Sequence, residues 1–165
     1  MVHKSAIDAI NSAVPDPRLG LPEDVFLFVS AVTPLVNVDL LIRNEKREVL
    51  LSWRHDRYSG PGWHIPGGII RYKERIADRI RAVAKIEIGA EVESNPHPLA
   101  INEMFVPNRK ERGHFIALLY ACSLISPPDD RLRHVGGTPK PMEWRWFDHC
   151  PDDLIAAHEI YRKYV

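Results

Sequence analysis

WHIPGGIIRYKERIADRIRAVAKIEIG, residues 63–89, is the stretch on which the fold turns. It begins inside a loop, HDRYSGPGWHIPGGIIRYKE (55–74), that holds four glycines and two prolines. A loop of this kind between apolar segments is a candidate functional loop. From Glu74 onward, Ile76, Ile80, Val83, Ala84 and Glu87 recur at helical spacing, which predicts a helix over 74–88. Gly89 stands where a helix-ending glycine belongs, because glycine takes the left-handed conformation at low cost. Upstream, LVNVDLLIR (35–43) and VLLSWR (49–54) flank the polar turn NEKRE and read as a hairpin. Downstream, LAINEMFV (99–106), HFIALLYACSL (114–124) and EWRWF (143–147) read as strands. KSAIDAINSA (4–13) reads as a short helix, 151–164 as an amphipathic closing helix, and DVFLFVSAV (24–32) fits helix or strand. Mixed strands with a helix in the middle and another at the end give α+β or an α/β sandwich.

Composition narrows the function. The 165 residues carry 22 Lys+Arg against 22 Asp+Glu, a net charge of zero, with 45% apolar residues and a mean hydropathy of −0.24. That is a single globular domain with a sizeable core. The charge balance argues against a protein that coats nucleic acid or anionic lipid. No window approaches the roughly 18 apolar residues of a membrane span. The segment MVHKSAIDAINSAVPDP lacks an apolar core, which predicts no secretory signal and a cytoplasmic location. Two cysteines, Cys122 and Cys150, are too few for a disulfide framework. The zero is an average. Residues 43–85 hold 11 basic and five acidic residues, a net of +6, so the basic surplus surrounds the glycine loop and the helix.

The order of strand, WHIPGG, short loop, Glu74, helix and Gly89 resembles the Nudix hydrolases. Their box runs Gly, five residues, Glu, seven residues, then Arg-Glu-apolar-any-Glu-Glu-any-Gly. With Gly68 as its first position, Glu74, Glu87 and Gly89 fall in place. The arginine position holds Ala82, and two cluster carboxylates are replaced by Val83 and Ile86. Positions 83, 86 and 87 share one helix face, so three carboxylates there would hold several metal ions against a pyrophosphate. One carboxylate suits a single ion. The same depletion marks the GDP-mannose mannosyl hydrolase branch, to which Thr33-Pro34-Leu35-Val36, Asp39, Leu50-Leu51, Arg54, Trp63 and Pro66-Gly67-Gly68 are also similar. The resemblance covers about residues 23–89.

It implies a Nudix-type α/β/α sandwich with a mixed sheet over 23–165, behind an N-terminal extension at 1–22. It also implies a Mg²⁺-dependent enzyme that releases the sugar of GDP-mannose or GDP-glucose by attack of water at the anomeric carbon. Its partner is a small nucleotide sugar, and its quaternary state a homodimer packed through the N-terminal element. Glu87 and the Gly67 carbonyl would be the metal ligands. Arg54 would meet the diphosphate, Asp39 the sugar or base, and Tyr58 could stack on a nucleobase. His134 is the only histidine in the loop where the family keeps its general base, with Glu143 and Glu103 as rival carboxylates. Glu74 would pair with Arg81 or Arg71 in place of the missing box arginine. Ile69 and Phe115 depart from the family's arginine and aromatic hydroxyl, and no glutamine precedes His134. Two other readings stay open: a nucleotide-sugar binding module without turnover, and a pyrophosphohydrolase.

Overall fold

The computed structural model describes residues 4–165. In chain order it holds α1 (Lys4–Ala13), α2 (Glu23–Val32), β1 (Leu35–Ile42), β2 (Val49–Arg54), β3 (Gly62–His64), β4 (Gly67–Ile69), α3 (Ile76–Ile88), β5 (Val92–Ser94), β6 (Ala100–Phe105), β7 (His114–Leu124) and β8 (Trp144–Phe147). A 3₁₀ segment, Ala156–Tyr164, ends the chain where an amphipathic helix was expected. The ambiguous 24–32 stretch is helical. No helix among the described residues is long and apolar enough to cross a membrane.

The strands form two sheets. The larger runs β4-β1-β7-β5, with β6 also on β7, and the smaller runs β3-β2-β8. The larger sheet is mixed: β1 lies parallel to β7, from Leu35↔Phe115 to Ile42↔Cys122, and every other pairing in it is antiparallel. This corrects the hairpin expected at 35–54. β1 and β2 belong to different sheets, and the ladder between their segments is a single bridge, Arg43↔Val49, just past the end of β1. The reason lies in β1 itself. A strand covered on both faces reads as a nearly continuous apolar run, which does not say which neighbour it pairs with.

Alternation along β1 explains the layers. Val38, Leu40 and Ile42 face one way and pack with Ile80, Val83, Ala84 and Ile88 of α3. Leu41 faces the other way, toward Leu51, Trp53 and Trp63 of the second sheet and Tyr161 of the 3₁₀ segment. Asp39 shares Leu41's parity, so a carboxylate enters the space between the sheets. α3 buries Ile80, Val83, Ala84 and Ile88 at three- and four-residue intervals. It ends at Gly89, whose φ of 65° is left-handed and whose N–H caps the Ala84 carbonyl.

Candidate active site

Asp39 is the deepest polar group of the site and is fully buried. β1 pairs with β4 so that Asp39 lies opposite Gly67. A side chain at 67 would collide with the Asp39 carboxylate and crowd the Val38 carbonyl, so glycine is required by the close approach. Tyr161 Oη donates to Asp39 Oδ2 at 2.5 Å, and Asn37 Nδ2 donates to Oδ1 at 2.6 Å. Burial pushes the Asp39 carboxyl up to about 7, with the nearby Glu87 adding to the rise and the Tyr161 hydrogen bond and His64 working against it. Tyr161, buried beside this carboxylate, is pushed up in turn.

Two histidines complete the cluster. His158 Nδ1 accepts from the Ile65 N–H at 3.1 Å, so its proton sits on Nε2. Burial, then the neighbouring His64 and Arg54, hold His158 well below the ordinary imidazole value, and it is neutral. His64 Nδ1 lies 2.7 Å from the Ser52 carbonyl, an acceptor, so this nitrogen donates. The opposite nitrogen, Nε2, is 3.1 Å from Glu87 Oε2. Glu87 Oε1 accepts from the Gly67 N–H at 3.3 Å, while Oε2 is buried with no hydrogen-bond partner. A carboxylate oxygen orphaned in this way, near the C-terminal end of α3 where an anion is disfavoured, fits a bound cation. Among the described residues no three His, Cys, Asp or Glu side chains converge as a metal cluster. Any ion here would therefore draw on backbone oxygen, water or substrate as well.

Asp39, His64, Gly67 and His158 form the floor of a pocket of about 430 Å³. Glu87 lies just behind that floor, touching His64 and Gly67. The mouth is basic. Arg54 from the end of β2 and Arg109 and Arg112 from the β6–β7 loop all line it. Arg54 spends its Nε on Asp56 at 2.6 Å. Arg109 donates to the Tyr58 carbonyl. The Arg112 guanidinium lies 4.5 Å from the Tyr58 ring centroid and 5.5 Å from that of Phe26, and its Nε is buried without a partner. Burial, then the Arg54 charge, lowers the Arg112 value. Cations that destabilise one another around a cavity are poised for a polyanion.

The expected site residues divide. Asp39, Arg54, Tyr58 and Gly67 line the pocket, and Glu87 adjoins it. Tyr58 presents less ring than a stacking role asks for, since Arg57 also lies 4.6 Å from its centroid. His134 does not line the pocket: Nδ1 pairs with Glu143 Oε2 at 2.8 Å, and the ring packs edgewise on Trp63. Of the rival carboxylates, Glu103 on β6 does line it, with Oε1 3.1 Å from His114 Nε2. Glu74 pairs with Arg79 (Nε to Oε2, 2.8 Å) rather than Arg81, and also accepts from the Arg71 N–H. Arg79 replaces the box arginine from one turn earlier on α3. His64, His158, Tyr161, Arg109 and Arg112 were not expected. His64 stood inside the decisive motif, but the others lie far from it in sequence and carry no spacing signal.

Residues 33–163 match the NUDIX domain family. This chain is a Nudix protein. A curated relative, the low-salt glycan biosynthesis protein Agl8 of Haloferax volcanii, is 37% identical over 120 residues, 70% of this chain and 74% of that one. Among solved structures, the MutT Nudix hydrolase of Burkholderia pseudomallei superposes with a TM-score of 0.62 at 22% identity, over 81% of this chain and 98% of that one. The MutT protein of Methanosarcina mazei Go1 gives 0.60 at 18%, over 81% and 91%. These superpositions bear on fold alone, and the mixed sheet flanked by helices agrees with them. Against the Nudix box, Val83 is buried in the core beneath Gly68 and Ile86 is exposed, so α3 brings only Glu87 to the site.

Proposed function

We propose that this Nudix protein is a Mg²⁺-type, divalent-metal-dependent hydrolase of nucleotide sugars. GDP-mannose or GDP-glucose is the expected substrate, cleaved by water at the anomeric carbon to give sugar and nucleoside diphosphate. The observation that carries the reading is the pairing of three pocket arginines with Glu87, the one carboxylate retained from the box's three-carboxylate cluster. Attack at phosphorus in the usual Nudix manner draws on several helix carboxylates, which α3 lacks. Departure of a diphosphate from carbon needs its developing charge neutralised, and arginines can do much of that. The name of the Agl8 relative, a glycan biosynthesis protein, also favours a sugar-linked substrate.

Each residue then has a task. Arg54, Arg109 and Arg112 bind the diphosphate. Glu87 and the Gly67 carbonyl would hold the divalent ion, whose chemistry is to offset charge on the terminal phosphate. Asp39, held by Tyr161 and Asn37, fixes the floor against which the sugar rests. Glu103, exposed at the pocket wall with His114 to orient it, takes the base role expected of His134 and accepts a proton from the attacking water. The protein works in the cytoplasm on this reading, as a homodimer.

Purified protein incubated with GDP-mannose and Mg²⁺ is expected to yield free sugar and GDP, with ¹⁸O from labelled water in the sugar. Label in GMP or sugar phosphate would instead establish pyrophosphate cleavage. Tight binding without products would establish a binding module. Glu103→Gln is expected to lower kcat by about 10²–10⁴ with little change in KM.

A further inference from the structure

The contact between His64 and Glu87 brings a ring nitrogen and a carboxylate oxygen together without a hydrogen bond. The Ser52 carbonyl engages His64 Nδ1 at 2.7 Å, which leaves Nε2 as the nitrogen turned toward Glu87. Nε2 lies 3.1 Å from Glu87 Oε2, an oxygen with no hydrogen-bond donor. Both side chains are largely buried, at 7% and 14% exposure, so water does little to satisfy them. The ring cannot turn away easily, because His158 packs edgewise on it at 5.7 Å. A buried nitrogen and a buried carboxylate oxygen that face each other without a hydrogen bond leave room for a cation shared between them.

The geometry separates a metal from a proton. A proton on Nε2 would point along the ring's lone-pair axis at its acceptor. The Nε2–Oε2 pair has the distance of a hydrogen bond but lacks its alignment. Ligands that share a metal do not aim at each other; they aim at the ion. Two bonds of about 2.2 Å meeting at a right angle span about 3.1 Å, the edge of an octahedron. A backbone carbonyl holding the other ring nitrogen is the usual support of a metal-bound histidine.

We propose that His64 Nε2 is a metal ligand beside Glu87, so that this site prefers imidazole-binding divalent ions such as Mn²⁺ and Co²⁺ to Mg²⁺. Imidazole suits such ions, whereas Mg²⁺ takes oxygen ligands. The inference rests on the metal assigned to Glu87 in the proposed function and adds a nitrogen to its shell.

The test is pulsed electron paramagnetic resonance of Mn²⁺ bound to the metal-free full-length protein, without substrate. Directly bonded ¹⁴N modulation is expected in the wild type, replaced by the ¹⁵N pattern when histidine is ¹⁵N-labelled. This readout needs no variant to fold. In His64→Gln the nitrogen modulation should vanish, Mn²⁺ binding should weaken tenfold or more, and Mg²⁺ binding should change by less than about threefold. Mn²⁺ that binds, is lost in Glu87→Gln, and shows no nitrogen modulation would overturn the inference while leaving the Glu87 metal intact. Absence of any Glu87-dependent Mn²⁺ binding would overturn both.

Discussion

Asp39 shows how one residue ties stability to the site. Its carboxyl rises from an ordinary 3.8 to about 7 because burial disfavours the charge more than Tyr161 and Asn37 favour it. The folded protein therefore holds a proton that the unfolded chain releases near pH 4. The stabilising contribution is fully present below about pH 4 and is lost as pH rises through about 7, a difference on the order of 4 kcal/mol. Urea unfolding of the metal-free protein at pH 5 and pH 8 should show this decline. Asp39→Asn should largely flatten it, becoming less inferior to the wild type at the higher pH. Arg112 makes the complementary case for binding. Its unpartnered Nε and its neighbour Arg54 make it the cation that gains most from a diphosphate. Arg112→Ala should weaken nucleoside diphosphate binding by tenfold or more, measured calorimetrically, and Arg112→Lys should recover only part of it.

At the scale of elements, α3 is fixed at both ends by contacts that can be removed singly. Arg79→Ala would leave the Glu74 carboxylate, at 18% side-chain exposure, with the Arg71 N–H but no cation, and should cost about 2 kcal/mol in chemical denaturation. Gly89→Ala forces a Cβ into a left-handed φ of 65° and to 2.7 Å from the Asp129 Cβ, so it should cost at least about 1 kcal/mol. How far the sequence discloses these elements depends on whether a period is present. α3 and β6 are long enough for burial to impose a repeating pattern, and they lie where the sequence puts them. β3, β4 and β5 have three residues each, too few for any period, and two of them hide inside the glycine loop. The site divides on similar grounds. Gly67 and Glu87 are readable because the box fixes their spacing. Tyr161 reaches Asp39, and His158 reaches Ile65, only through the terminal 3₁₀ segment, and no local pattern links residues so far apart in the chain. Arg79 for Arg81 is a rotation about the helix that sequence spacing alone does not resolve.

At the scale of the whole molecule, the distribution of charge matters more than its sum. The basic surplus of 43–85 includes Arg54 at the pocket mouth, and Arg109 and Arg112 arrive there from outside that span. α2 leaves Phe28 and Val32 exposed at 60% and 65%, the face expected to meet a second copy. Light scattering should give a dimer, and Phe28→Glu combined with Val32→Glu should give a monomer. The parallel pairing of β1 with β7 carries a further consequence, for the order in which the molecule can be assembled. β1 is nearly all apolar, and its central neighbour is separated from it by most of the intervening chain. During synthesis β1 emerges long before His114–Leu124 exists to cover it. Until then the growing chain exposes an unpaired apolar edge, open to association with other chains or to a chaperone. Completion of β7 is the event that closes the larger sheet, so fragments ending before His114 should remain unfolded however much of the Nudix box they contain.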